Sequence, residues 1–135
     1  PLYCKILNGG DIMTTELWDN TELPKGNTML IEGPLRGGHK IDYDGNVVVM
    51  GDVNAGAEIR ASGHVIIFGV LRGMVHGGSK GDVHAKVLAL TLFPTQLRIA
   101  DHITCPPEGY GEIAGRGPEI ASISNGKVVI EQLAM

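Results

Sequence analysis

The sequence predicts an all-β fold: a single-stranded β-helix (a solenoid) of about four 18-residue coils, shaped as a triangular prism. Three observations predict it. Glycines recur at a spacing of 18, as Gly33, Gly51 and Gly69 and again as Gly45, Gly63 and Gly81. Apolar or small residues alternate with polar ones along each block, which is the period-2 signature of strands. The tripeptide Leu-Arg-Gly stands at 35–37 and again at 71–73, two periods apart. A short unit that repeats in register and cannot bury its own apolar face alone is one coil of a stack.

The blocks run 29–46, 47–64, 65–82 and 83–100. Their first column is Met29, Val47, Val65, Val83, and their third is Ile31, Val49, Ile67, Ala85. The seventh holds Leu35, Val53, Leu71 and Ala89. These columns are expected to point inward and stack in ladders, with glycines at the corners. Outside, Lys40 is expected over Glu58, with His76 next in that column, and Asp42 over Arg60. Before the repeat, residues 1–27 read as a linker or the remnant of a preceding domain, with one strand at 3–7 and Trp18 as an anchor. The β-helix domain is expected over 28–105. Residues 106–135 are expected to complete it, as a Pro/Gly-rich loop to 118 and two short strands joined through Asn125-Gly126.

Composition narrows the function. Apolar residues make up 43% of the chain but aromatics only 4%, so the core must be Val, Ile, Leu and Ala. A net charge of −4 gives no electrostatic footprint for nucleic acid. The two cysteines, Cys4 and Cys105, form no CxxC motif, which fits a reducing compartment and neither a disulfide framework nor a zinc ribbon. The five histidines share no metal-ligand spacing, and the glycine-rich 73–82 stretch lacks the order of a phosphate loop. No metal, cofactor or catalytic residue is expected.

Two outer faces break the ordinary pattern. Leu30, Val48 and Ile66, with Met50, Phe68, Val70 and Leu88, stand at positions that should face water. An apolar patch of this extent on a flat sheet is expected to pack on a second copy of the chain. Beside it, Arg36, Gly38 and Lys40 are expected above Asn54, Gly56 and Glu58. The glycines leave bare backbone that a partner can approach, and the arginine offers an anchor. Without a pocket, this face suits a protein better than a small molecule.

The stretches LRGGHKI (35–41), GDVNAGAEI (51–59), GVLRGMVHGG (69–78) and PTQLRIA (94–100) resemble the C-terminal domain of the MinC family of septum-site-determining proteins, as does the closing EIASISNGKVVIE. The resemblance covers residues from about 28 to the end. It implies a right-handed β-helix homodimer that binds the membrane-associated ATPase MinD and the division protein FtsZ, and inhibits FtsZ assembly away from midcell. It implies a cytoplasmic protein, with no enzymatic activity, that reaches the inner face of the membrane only indirectly, through MinD. The family's MinD contact includes an Arg-Ser-Gly-Gln stretch, which reads here Arg36, Gly37, Gly38, His39. It also includes the Gly and Glu of an AGAE motif, here Gly56 and Glu58; Asn54 joins them from the column reading. Two other classes fit a solenoid: a bactofilin-like scaffold, which needs both ends of the stack open, and a hexapeptide-repeat acyltransferase, since 18 is three hexapeptides.

Overall fold

The structure, a computed structural model, describes residues 2–8, 11–17, 27–104 and 117–133. The first coil supplies β3 (Thr28–Glu32) and β4 (Lys40–Tyr43), and the second β5 (Asn46–Met50) and β6 (Glu58–Ala61). The third supplies β7 (Val65–Leu71) and β8 (Met74–Gly77), and the fourth β9 (Val87–Leu92) and β10 (Gln96–Ile99). Strands β3, β5, β7 and β9 pair in parallel in one sheet, and β4, β6, β8 and β10 in a second. Isolated parallel bridges, Leu35 to Val53 and Val53 to Leu71, form the third side. The described residues contain strands and turns and no helix. This is the stacked-coil architecture that the period requires.

The core is the inward half of the alternation. Met29, Ile31, Leu35, Val47, Val49, Val53, Val65, Ile67 and Leu71 are all fully buried. Burying each aliphatic side chain contributes about 1.5–3 kcal/mol relative to exposure, and the ladder sums this down the stack.

The structure corrects the register of the third coil. Glu58 pairs with Met74, and Arg60 with His76, so His76 stacks on Arg60 and not on Glu58. Val65 pairs with Val87 and Ile67 with Ala89. Val83 and Ala85 are therefore not the ladder partners of Val65 and Ile67, and Val83 lies on the surface. Ala89 stands under Ile67, and Leu71 pairs with Leu92. The third coil is shortened at the corner before β8 and lengthened at the corner after it, where Lys80 and Gly81 loop out. The physical reason is parity. Positions 83, 85, 87 and 89 are all apolar or small, so a slip by an even number of residues keeps the same alternation inward. A bulge between Ile67 and Val70 adds a further shift and sets Val70 beside Thr91.

The ends of the first sheet are antiparallel. The strand expected at 3–7 is present as β1 (Leu2–Asn8), and the stretch read as a linker or remnant also contributes β2 (Asp11–Leu17). Strand β1 pairs with β3, and β2 with β1. The cause is again alternation: Cys4 and Ile6 are fully buried while Lys5, between them, reaches Glu32 at 2.9 Å. Burial pushes the Cys4 thiol above its usual pKa, which makes it a packing residue. At the other end, β12 (Glu119–Ser124) pairs antiparallel with β9, and β13 (Lys127–Gln132) with β12. Asn125 (φ 53°) and Gly126 (φ 75°) close that hairpin in the left-handed region, as an Asn-Gly turn requires. Strand β11 (His102–Thr104) turns back on β10. Trp18 and most of the 106–118 loop lie outside the described residues.

Side chains hold the corners where neighbouring coils meet. Asp52 Oδ1 accepts the Val70 N–H at 2.8 Å, and Asn46 Oδ1 accepts the His64 N–H at 2.8 Å. Gly69 sits so close to the coil before it that a Cβ there would lie 2.5 Å from the Gly51 carbonyl oxygen and 2.6 Å from Asp52 Oδ1. Gly69→Ala is therefore expected to destabilise the fold by about 2 kcal/mol or more through overpacking against backbone. In a thermal melt it should lower the Tm by about 5 °C or more. A melt unchanged from wild type would remove close packing as the reason for glycine there.

Candidate partner-binding face

The candidate face is the edge of the prism between the two sheets, on coils one and two. Leu35 and Val53 point inward and are fully buried. The chain must then turn before β4 and β6 begin. It does so with the same device twice. The His39 N–H reaches the Arg36 carbonyl at 3.0 Å, and the Ala57 N–H reaches the Asn54 carbonyl at 3.0 Å. Each is a four-residue turn, with Gly38 (φ 92°) and Gly56 (φ 87°) at the third position. A type II turn needs φ > 0 there, which glycine alone adopts without strain.

The two turns stack. The Gly38 N–H donates to the Gly56 carbonyl at 3.1 Å, the Glu58 N–H to the His39 carbonyl at 3.0 Å, and the Asn54 N–H to the Leu35 carbonyl at 2.9 Å. A Cβ on Gly56 would lie 3.2 Å from Gly37 Cα, so the turns pack as closely as side chains allow. His39 Nδ1 accepts the Arg36 N–H at 2.9 Å, closing the first turn from within. Arg36, Gly37 and Gly38 are exposed, and His39, Asn54 and Glu58 are half-buried. Glu58 faces Lys40 at 3.9 Å, a loose exposed pair. The structure thus brings Arg36, Gly37, Gly38, His39, Asn54, Gly56 and Glu58 onto one rigid patch with main-chain groups at its surface.

The outward apolar residues also assemble. Leu30 pairs with Val48, Val48 with Ile66 and Ile66 with Leu88, one row across four strands. Met50 and Phe68 stand beyond it, 49% and 47% exposed. Val70, displaced by the bulge, is half-buried outside the row.

The second sheet carries a feature that the sequence reading missed. A cavity of about 310 Å³ lies on its outer face, next to a surface expected to have no pocket. It is lined by Glu58, Arg60, Met74, His76, Gln96 and Arg98 among others. Only the corrected pairing of Glu58 with Met74 and of His76 with Arg98 brings these together. Within it, His76 Nε2 and Arg98 Nε both donate to the Ala100 carbonyl, each at 2.9 Å. Ala100 holds φ 50° at the corner into β11. Among the described residues, no group of three or more His, Cys, Asp or Glu side chains is placed to hold a metal ion.

The family model described as "Septum formation inhibitor MinC, C-terminal domain" matches residues 29–133. The chain belongs to the MinC family. It is 50% identical over 110 residues to the probable septum site-determining protein MinC of Acetivibrio thermocellus, covering 82% of this chain and 48% of that protein. It is 50% identical over 105 residues to the MinC of Heliobacterium modesticaldum, covering 78% of this chain and 36% of that one. The chain thus spans half or less of these curated relatives. Its fold matches a chain of the MinC:MinD cell division protein complex of Aquifex aeolicus with a TM-score of 0.76 at 33% identity, covering 80% of this chain and 88% of that one. Among the described residues, no helix is long and apolar enough to cross a membrane.

His76 gives this MinC-family fold a pH signature. Burial, first, and then Arg98 and Arg60 push its pKa below the usual 6.5, against the pull of the Ala100 hydrogen bond and Asp101. The unfolded chain then takes up a proton near 6.5 while the folded chain resists it. Stability from this group is present above 6.5 and lost as pH falls through 6.5 toward the lower folded value. Urea midpoints should therefore fall between about pH 7.5 and 5.5. They should fall less in His76→Gln, which retains an N–H donor but does not titrate. Equal pH slopes in the two proteins would show that His76 does not carry the effect.

Proposed function

We propose that this chain is the partner-binding module of a division-site selection protein. It dimerises through the apolar row of the first sheet, docks on MinD through the stacked turns, and helps block FtsZ assembly away from midcell. It acts by binding and not by catalysis. It works in the cytoplasm and meets the inner face of the membrane through MinD. The observation that carries the reading is the pair of stacked type II turns, which places Arg36 and Glu58 on one rigid patch in a fold shared with the Aquifex aeolicus complex. A flat patch of bare backbone and one free arginine favours a folded protein partner over a small molecule.

Two features weigh against the other classes. A filament-forming scaffold needs open ends, and both ends of the first sheet are closed by antiparallel hairpins. A hexapeptide enzyme needs coils in multiples of six, and the third coil departs from that on both sheets.

Recruitment to lipid vesicles by ATP-loaded MinD tests docking. Wild type should co-sediment, and Arg36→Ala and Glu58→Ala should each weaken binding by about tenfold, as truncation of an interface anchor does. Wild-type chain left in the supernatant would sink the reading. Assembly is tested separately by sedimentation equilibrium. Wild type should have the mass of a dimer, and Phe68→Glu, which places a charge beside the apolar row, that of a monomer. A Phe68→Glu protein that keeps the dimer mass would place the interface elsewhere.

A further inference from the structure

The patch described above ends at the second coil only if its turns define it. The register carries it further. The bridges Leu35 to Val53 and Val53 to Leu71 put the next residue of each coil in one outward row: Arg36, Asn54, Arg72. The backbone bonds agree, since the Asn54 N–H reaches the Leu35 carbonyl at 2.9 Å and the Arg72 N–H the Val53 carbonyl at 2.7 Å. With about 4.8 Å between neighbouring coils, the two arginine backbones stand about 10 Å apart.

We infer that Arg72 is a second arginine anchor of the MinD-docking face, taking a carboxylate of the partner about 10 Å from the one that Arg36 takes. This rests on the docking reading proposed above. Three observations carry it. First, Arg36 and Arg72 are both exposed, and neither forms an ion pair among the described residues. Lys5, Lys40, Lys80 and Arg98 each have a carboxylate within 4 Å, while Arg60, Lys86 and Lys127 share that unpaired state but lie outside this row. On a chain of net charge −4 this row keeps its positive charge free.

Second, the backbone of Arg72 is fixed. Its N–H is bonded as above, and its carbonyl accepts the Thr95 hydroxyl at 2.7 Å. The side chain therefore starts from a held position, which lowers the entropy lost when it is engaged.

Third, the shortened corner of coil three makes a step. Coils one and two each project a turn here, and coil three has none, since Met74 already pairs with Glu58. Gly73 tucks beneath the second turn, where a Cβ would collide with the Ala57 carbonyl oxygen and lie 2.8 Å from that of Asn54. Arg72 thus rises from the foot of the step. A partner resting on the two projecting turns leaves a gap over coil three that a long side chain can cross and a short one cannot. The planar, permanently charged guanidinium suits a carboxylate there.

The test titrates ATP-loaded MinD on vesicles of phosphatidylethanolamine and phosphatidylglycerol with wild type, Arg72→Ala, Arg72→Lys, Arg36→Ala and Arg60→Ala. Each is measured at low and at high salt. Arg72→Ala should bind at least about fivefold more weakly at low salt, with a shallower salt dependence. Arg72→Lys should recover part of the loss because it restores charge. Arg60, also exposed and without an ion pair among the described residues but on the outer face of the second sheet, is the control and should bind as wild type. Loss in Arg36→Ala with Arg72→Ala binding like wild type overturns this inference and leaves the docking reading intact. Equal losses in Arg60→Ala and Arg72→Ala overturn it as well, because the effect is then bulk charge. No recruitment of wild type overturns the docking reading, and this inference with it.

Discussion

Every feature of this protein follows from one constraint: each coil lies on the last with inward side chains kept inward. In a parallel stack the backbone groups of a strand pair with the strands above and below, so no residue can shift alone. An odd slip would turn Val47, Val49 and their neighbours out of the core. Even slips are permitted: β8 pairs two residues early and the start of β9 four residues late relative to an 18-residue period, and the odd step from four to three along β7 is absorbed by the bulge between Ile67 and Val70. The slack is taken up at corners, by the compact Arg72-Gly73 link on one side and the Gly78–Lys86 loop on the other.

The same constraint makes the candidate site. A stack of coils has little room for a deep cleft, but it repeats its corners. Where two corners have the same length they form matching turns, hydrogen-bonded to each other through Gly38 and Gly56. What they present is preorganised main chain with a few side chains at set spacings, a surface for another folded surface. The apolar row Leu30, Val48, Ile66 and Leu88 lies on the first sheet and the turns on the edge between the sheets. The proposed self-association and the proposed docking therefore use different residues.

Much of this was legible in the residues. Gly51 and Gly69 mark the coil length because a Cβ on either would collide with the backbone of the coil before it. Arg36, Gly38, Gly56 and Glu58 could be placed together because coils one and two keep the period from 28 to 61. Arg72 shares their row, but the period alone gives no reason to single it out; the missing turn that leaves it at the foot of a step appears only with the register of β8. The Arg60–His76–Arg98 row was hidden for the same reason, since a strict period places His76 on Glu58.

By itself, then, the sequence determined the strand alternation, the 18-residue coil and the residues that must be buried, because these depend on side-chain parity and on glycine, both properties of single positions. Tertiary structure alone decided where the third coil is cut and extended, that β1 and β2 add an antiparallel pair to the first sheet, and that a cavity opens on the second. Those outcomes depend on which of several equally apolar positions pairs with a given strand. Val83, Ala85, Val87 and Ala89 all satisfy the alternation, and only the packing of the whole stack selects Val87 as the partner of Val65.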